Sequence, residues 1–395
     1  MAAAVLLVAG CGSGGAAGGS SGGANAEPIV IGSLAAYTGG TVDLNGVKKT
    51  LEAWGKSVND AGGINGHPVK FVIKDTAGTP SNSLRAVQQL VEEDKAVAIV
   101  GQWDANFTTW ASYVEKAGIP VIGGNPITTP LNNPTFFPVG GNVPGLQYGV
   151  AKEAAARNGK VAFIYCAEVP ACKESVKSLE AVAPVAGAQL VASAPAAKSA
   201  TDYTSVCETI KNSGASVYEM GVSGALAIRI AAACQRIGLT AQPVFIAGVS
   251  VESHATQPAL QSLIEVDTNA PWFDKSLPGM KAFHEAVDKY APLQGDENFP
   301  GAVGAWASAQ LFQKAASLVQ GPVTPDSIKK ALYSLKDETL GGISPPLNYT
   351  EGKPSFFSCF FAYGVSNGTW TATEGLTPKC LPADVATQLQ KSMAG

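Results

Sequence analysis

At 395 residues the chain exceeds one ordinary hydrophobic core, so two domains are expected. With 46% hydrophobic residues, 15% charged residues and a net charge of −4, its composition is that of a globular protein and excludes an intrinsically disordered one. The same charge gives no basic footprint for nucleic acid: the lysines are scattered, with short pairs such as Lys48-Lys49 and Lys329-Lys330.

Residues 2–10 form an apolar stretch too short to span a bilayer and similar to the h-region of a secretory signal. Val8-Ala9-Gly10-Cys11 resembles the lipobox of bacterial lipoproteins, in which cleavage leaves the cysteine as the new N-terminus and its sulfur carries diacylglycerol. Met1 to Leu7 holds no Lys or Arg, so the basic n-region is missing, and a chance cysteine in a leader is the competing reading. Residues 12–26 are almost wholly Gly, Ala and Ser, a flexible coil of roughly 20 Å end to end. Such a tether would hold a folded body just off a membrane surface.

Six cysteines remain once Cys11 is set aside, and none forms a Cys-x-x-Cys pair. Neighbour pairing joins Cys166 to Cys172, Cys207 to Cys234 and Cys359 to Cys380, which is one of fifteen possible arrangements. Reduced core thiols are the alternative. For an exported chain bridges are favoured, each stabilising by about 2–4 kcal/mol.

In the body, Pro28 to Leu34 reads as a buried strand closed near glycine. A helix over 46–59 follows, with Val47, Leu51, Trp54 and Val58 at helical spacing, and the glycines of Ala61-Gly62-Gly63-Ile64-Asn65-Gly66 end it. The alternation continues with a strand at 69–74, a helix at 81–94, a strand at 96–100, a helix at 106–117 and a short strand at 120–122. A second run has strands at 160–165, 189–194, 217–222 and 243–246, with helices at 173–185, 203–213 and 225–237 between them. This βαβα pattern predicts an α/β fold of two similar lobes, each a parallel sheet flanked by helices. Residues 137–149, rich in Gly, Pro and Asn, read as a segment crossing between them.

The ordered segments "IGSLAAYTGG", "NDAGGINGHPVKFVIKDTAGTP", "AVAIVGQWDAN" and "GIPVIGGNP" resemble the first lobe of type I periplasmic binding proteins, above all the branched-chain amino acid (leucine/isoleucine/valine) binding family of ABC importers. The likeness continues through "DYTSVCETIKNSGASVYEMG" and "AWASAQLFQKAA". It implies a clamp of two lobes joined by three crossings, closing on a small-molecule solute that an ABC permease then receives. Applied to this chain, the division is a signal and lipobox at 1–11, a tether at 12–26, an N-terminal lobe at 27–142 and 275–342, a C-terminal lobe at 143–274 and 343–380, and a tail at 381–395. The second crossing is expected near 267–278 and the third near 341–348, with a final strand over 356–365. A monomer, lipid-anchored outside the cytoplasm and without cofactor, metal or nucleic-acid partner, is the implied form.

Open α/β sheets bind ligands beyond the carboxyl ends of their strands, which places the candidate site residues. In the first lobe these are Tyr37 and Thr38, then Gln102, Trp103 and Asp104, then Gly124 and Asn125. The resemblance implies that the loops matching "GQWDAN" and "GGNP" hold a ligand carboxylate with hydroxyl and backbone N–H groups. Here Trp103 and Asp104 stand where small hydroxyl residues are usual. An indole offers a stacking face and an Asp accepts from hydroxyl or ammonium donors; a core aromatic and a helix N-cap are the plainer readings. Gln147, Glu168, Ser223, Gly248 and Ser250 are the candidates from the second lobe. Amino acid binders place an acid in the last of these loops, where this chain has Val249. Glu168 is the candidate replacement, held over the cleft by a bridge from Cys166 to Cys172, or else a solvated loop carboxylate. These departures favour a small polar solute, aromatic or ring-shaped, over leucine.

An enzyme is the rival class. His67, His254 and His284 lie far apart, and no His-Glu-x-x-His helix, Gly-x-Ser-x-Gly elbow or phosphate loop is present. A sensor of the same fold that signals rather than transports is the closer alternative.

Overall fold

The computed structural model describes residues 26–40, 42–168 and 170–393. Cys11, the signal-like stretch and nearly all of the tether lie outside the described residues. The first sheet is built from β1 (Ile29–Ala35), β2 (Val69–Asp75), β3 (Ile99–Val100), β4 (Val121–Ile122) and β5 (Phe136–Phe137), in the order β2-β1-β3-β4-β5 and parallel throughout. Around it lie α1 (Asn45–Asp60), α2 (Pro80–Gln88), widened at its end into a π turn at Gln89–Glu93, and α3 (Ala111–Ala117). Strand alternation sends Ile31, Val100, Ile122 and Phe137 to one core and Leu34, Ile99, Val121 and Phe136 to the other.

Helix α1 shows why the sequence folds locally as it does. Val47, Leu51, Trp54 and Val58 recur at helical spacing and are all buried. Burial of side chains of this size stabilises by about 1.5–3 kcal/mol each. The helix ends where Gly63 takes φ +79°, and a Cβ there would lie 2.1 Å from the His67 carbonyl oxygen. Glycine is required at that turn.

The second lobe runs α4 (Val143–Ala155), β6 (Lys160–Cys166), α5 (Pro170–Ala186), β7 (Gln189–Ala196), α6 (Thr204–Ser213), β8 (Val217–Gly221), α7 (Gly224–Arg236), β9 (Gln242–Ile246) and β10 (Ile264–Asp267). The chain then returns to the first lobe, where α8 (Pro278–Tyr290) and α9 (Pro300–Ser317) pack on α1, and α10 (Pro325–Ser334) packs on α9. It finishes in the second lobe with β11 (Cys359–Ser366), β12 (Thr369–Thr371), β13 (Lys379–Cys380) and α11 (Ala383–Met393). The second sheet has the order β12-β11-β10-β9-β8-β6-β7, with β13 paired to β11.

This sheet departs from the all-parallel expectation: β11 runs antiparallel to β10, and β12 and β13 antiparallel to β11. The reason is the route. Crossings reach the second lobe at the carboxyl ends of its strands, so a strand entering straight from one must run the opposite way, whereas the first crossing enters through α4 and leaves β6 parallel. Residues 143–149, expected to be irregular, form the start of α4 with Pro144 in its first turn, a position where a missing N–H costs nothing. The helix expected over 106–117 is broken into a 3-10 turn at Phe107–Thr109 and α3.

Three disulfides join Cys166 to Cys172, Cys207 to Cys234 and Cys359 to Cys380, the neighbour pairing read from the sequence. They tie β6 to α5, α6 to α7, and β11 to β13. The crossings lie side by side. The Asn269 amide donates to the Val139 carbonyl at 3.3 Å, the Ala270 N–H to the Ile343 carbonyl at 2.8 Å, and the Tyr349 hydroxyl to the Pro138 carbonyl at 2.7 Å.

Candidate ligand-binding cleft

Beyond β3 the chain turns at Gly101, which takes φ +66°, and then pairs again: the Trp103 N–H donates to the Leu34 carbonyl at 2.9 Å and Trp103 bridges to Ala35. Alternation along this stretch puts Gln102 and Asp104 inside the lobe, both fully buried, and leaves Trp103 half-buried. Asp104 accepts from the Trp110 indole N–H at 2.8 Å, the Ser83 hydroxyl at 2.9 Å and the Thr76 hydroxyl at 3.3 Å. A carboxylate so buried persists because donors replace its water. Gln102 donates to the Thr128 carbonyl and hydroxyl and accepts from the Asp104 N–H. The Asn125 side chain caps the short turn Pro126–Thr128, accepting from the Ile127 N–H at 2.8 Å. The Gly124 N–H donates to Ser308 of α9.

Asp104, Asn125 and Gln102, expected at the ligand, spend these hydrogen bonds inside the first lobe. Their polar groups brace the loops of the first lobe from within, and Asp104 is not the N-cap of the next helix. Thr38 is exposed, and its hydroxyl donates to Asp75 at 2.6 Å. Burial pushes the Asp75 carboxyl up, but hydrogen bonds from Thr38 and from the Ala77 and Tyr37 backbone outweigh it and hold it below the usual range. Burial raises the Tyr37 phenol far above its ordinary value, offset in part by the Ser33 hydroxyl. Tyr37 is partly buried against the core, and its hydroxyl has no hydrogen-bond partner in the protein.

Trp103 is the exception. Its ring meets Phe299 edge-on at 5.9 Å, beside the first turn of α9, and it also reaches the opposite lobe. A Cβ on Gly248 would lie 3.3 Å from its Cη2, and one on Gly301 only 2.6 Å from its Cζ2. The indole therefore fits because both neighbours lack a side chain. Its N–H is buried without a hydrogen-bond partner in the protein. An unmet donor of this kind costs about 1–3 kcal/mol.

On the second lobe Gly248 lies in the turn after β9, where Ala247 and Gly248 take φ +58° and +81°. Beneath it, the buried carboxylate of Glu265 on β10 accepts from the Gly248 N–H at 3.0 Å and from the Ser250 hydroxyl. Burial, and then the nearby Asp267 carboxylate, raise the Glu265 pKa well above its ordinary value. Burial also pushes Asp267 up, to about 6, against hydrogen bonds from the Thr268 and Asn269 backbone and the Tyr363 hydroxyl. Ser223 stands before α7 with its hydroxyl making no cap bond. Glu168 is exposed and accepts from the Lys198 N–H at 2.6 Å, a bond inside its own lobe rather than a group held over the cleft.

Gln147, the candidate from α4, spends its amide inside the second lobe. It is buried between α4, α5 and β8, donating to Ser175 at 3.1 Å and to Glu219 at 3.0 Å. Glu219 itself is completely buried, and burial pushes its pKa up to about 8 against the Gln147 hydrogen bond. The reading of the sequence missed Glu219, Glu265 and Asp267. Their signal was an acid inside each of two apolar strand runs, Val217-Tyr218-Glu219-Met220 and Ile264-Glu265-Val266-Asp267.

Across the cleft, Ser253 donates to Asp296 from its N–H and from its hydroxyl, both at 2.8 Å. Hollows of about 540 and 270 Å³ lie elsewhere, at the amino ends of β6, β8 and β9, where Arg157 and Lys211 already bond within the lobe. The strand-end geometry carries the site assignment in preference to these. Among the described residues no group of three or more His, Cys, Asp or Glu is arranged to hold a metal ion, and no helix is long and apolar enough to cross a membrane.

The fold has close counterparts. An ABC transporter substrate-binding protein of Aeropyrum pernix superposes with a TM-score of 0.82 over 94% of this chain and 99% of that one, at 18% identity. A branched-chain amino acid ABC transporter protein of Thermus thermophilus with bound valine gives 0.78 over 92% and 98%, at 14% identity. A solute-binding protein of R. palustris in complex with benzoate gives 0.70 over 87% and 95%, at 17% identity. In sequence, an amino acid binding protein of Pseudomonas aeruginosa is 35% identical over 100 residues, which is 24% of this chain and 26% of that protein. The match thus spans about a quarter of that relative. The model of the periplasmic binding protein family matches residues 28–368, almost the whole folded body, and the chain belongs to that family.

Proposed function

We propose that the chain is the extracytoplasmic solute receptor of an ABC importer, a monomer tethered by lipid on Cys11, which captures a small planar solute between its lobes and delivers it to a permease. The observation that carries this reading is the Trp103 indole. It is presented at the carboxyl edge of the first sheet, it reaches Gly248 of the other lobe, and its buried N–H has no acceptor. The indole face offers a planar ring a stacking surface, and an acceptor atom lying in the indole plane beside the ring edge would satisfy that donor. An α-amino acid suits the cleft less well, because Glu265 already accepts from Gly248 and Ser250, Asp296 from Ser253 and Asp75 from Thr38. Valine and benzoate, held by the two neighbours of this fold named above, bracket the range of solutes to try. The disulfides suit an exported protein, and the cysteine between a signal-like run and a tether supports the anchor.

Native mass spectrometry of the purified protein, then a thermal-shift panel containing benzoate, valine and leucine, tests the reading. Titration calorimetry of the best binder should show Trp103→Ala weaker by about tenfold to a hundredfold, the equivalent of roughly 1.4–2.8 kcal/mol. Tight leucine binding that ignores the Trp103 change would refute it.

A further inference from the structure

Glu265 is buried away from the cleft, yet the Gly248 it holds meets the other lobe. It is completely buried on β10, between Phe245 in register on β9 and Tyr363 in register on β11. One carboxylate oxygen takes the Gly248 N–H and the other the Ser250 hydroxyl, so the turn between them is clamped at both ends. That turn needs clamping. Ala247 has φ +58°, a left-handed conformation that a side chain disfavours by about 1–2 kcal/mol, followed at once by Gly248 at +81°. Gly248 is where the second lobe meets Trp103, Pro300 and Gly301 of the first, within 3.3–3.6 Å of where a Cβ would stand.

We infer that Glu265 is the positioning residue of the binding cleft: by holding the Ala247–Ser250 turn in its left-handed form, it sets the wall against which Trp103 closes on the solute. The inference rests on the reading of Trp103 as the solute contact, and it names the element of the facing lobe that fixes how near the indole can come. Hydrogen bonding, not charge, is what the turn requires. Burial and the neighbouring Asp267 raise the carboxyl well above its usual range, so an amide of the same shape is a close substitute.

The test uses the full chain labelled with 5-fluorotryptophan and needs no ligand, so a cleft that binds nothing in the solute panel and a turn that Glu265 does not hold give separate results. The chain has six tryptophans, and the Trp103 fluorine resonance is the one lost in Trp103→Phe. Glu265→Ala should move that resonance and speed hydrogen exchange at the Gly248 amide by about tenfold, the loss expected for one hydrogen bond. Glu265→Gln should restore both. A merely space-filling role would give a different ranking, with Glu265→Met keeping both readouts as well as Gln does, and that result would overturn the inference. Should Glu265→Ala not fold, Ser250→Ala carries the test. A shifted Trp103 resonance then supports the clamp, and an unmoved resonance with unchanged Gly248 exchange overturns it.

Discussion

Replacing Glu219 by Gln should stabilise the protein in neutral and mildly alkaline solution, although the site is fully buried. Two acceptors face this pair without a hydrogen-bond partner, Oε2 of Glu219 and Oε1 of Gln147, while Gln147 donates to the other Glu219 oxygen at 3.0 Å. A buried carboxyl oxygen with no donor is reconciled with its surroundings if the acid keeps its proton. That agrees with a pKa pushed by burial from 4.5 to about 8. Below about pH 4.5 both folded and unfolded chains carry the proton. Between there and about 8 only the unfolded chain ionises, so the stability of the wild type falls as pH rises, and the loss is complete above the folded-state value. At about 1.4 kcal/mol per pH unit the total is on the order of 5 kcal/mol. The amide of the Glu219→Gln variant supplies the same donor permanently and does not titrate. Urea unfolding followed by circular dichroism from pH 5 to 8.5 should show the two proteins nearly equal at pH 5, with the variant gaining steadily thereafter. Every other ionisable group is common to both and cancels in the difference. Parallel curves, or a variant weaker by more than about 2 kcal/mol at pH 5, would refute the reasoning.

Asp104→Ala should cost about 2–4 kcal/mol of stability in thermal unfolding, because Trp110, Ser83 and Thr76 lose their acceptor together. Asp104→Asn should lose less and bind solute within about twofold of wild type, which separates bracing from ligand contact. Cys207→Ser with Cys234→Ser should lower stability by about 2–4 kcal/mol, while mass mapping of the unreduced protein should find all three bridges and no free thiol in the body. Cys11→Ser should move the protein from the membrane to the soluble fraction, and a variant that stays membrane-bound would refute the anchor.

The lobes, their strand order along the chain and the disulfide pairing were legible because each rests on local pattern. Apolar runs such as Ile29–Ala35 and the helical spacing of Val47, Leu51, Trp54 and Val58 need no tertiary information. The start of α4 was not legible, since Gly, Pro and Asn at 140–145 read as loop although Asn142 accepts from the Gly145 N–H as an N-cap and Pro144 fits the first turn. The site was half legible. Sequence position placed Gln102, Trp103, Asp104 and Asn125 at strand ends, but which way a side chain faces there depends on the left-handed turn at Gly101 and on where pairing resumes after it, and the bridge from Ala35 to Trp103 decides it. One residue of register turns Asp104 inward and Trp103 outward.

That alternation gives the two walls different jobs. In the first lobe the polar side chains are turned inward and saturated: Asp104 by three donors, Gln102 by Thr128, Asn125 by its own turn. The side chain they leave facing the other lobe is a rigid indole with two rotatable bonds, which loses little freedom when a ligand arrives. In the second lobe the facing element is backbone, bent into a left-handed conformation and hydrogen-bonded to the buried Glu265. A flexible polar surface would bind many solutes at the cost of ordering its side chains each time, whereas a fixed plane opposite a fixed turn discriminates by thickness and by where an acceptor atom lies. Selectivity in this chain is therefore expected to follow ring flatness before charge. A planar carboxylate should outcompete a saturated ring of equal size and charge, and equal affinity for the two would place the solute away from Trp103.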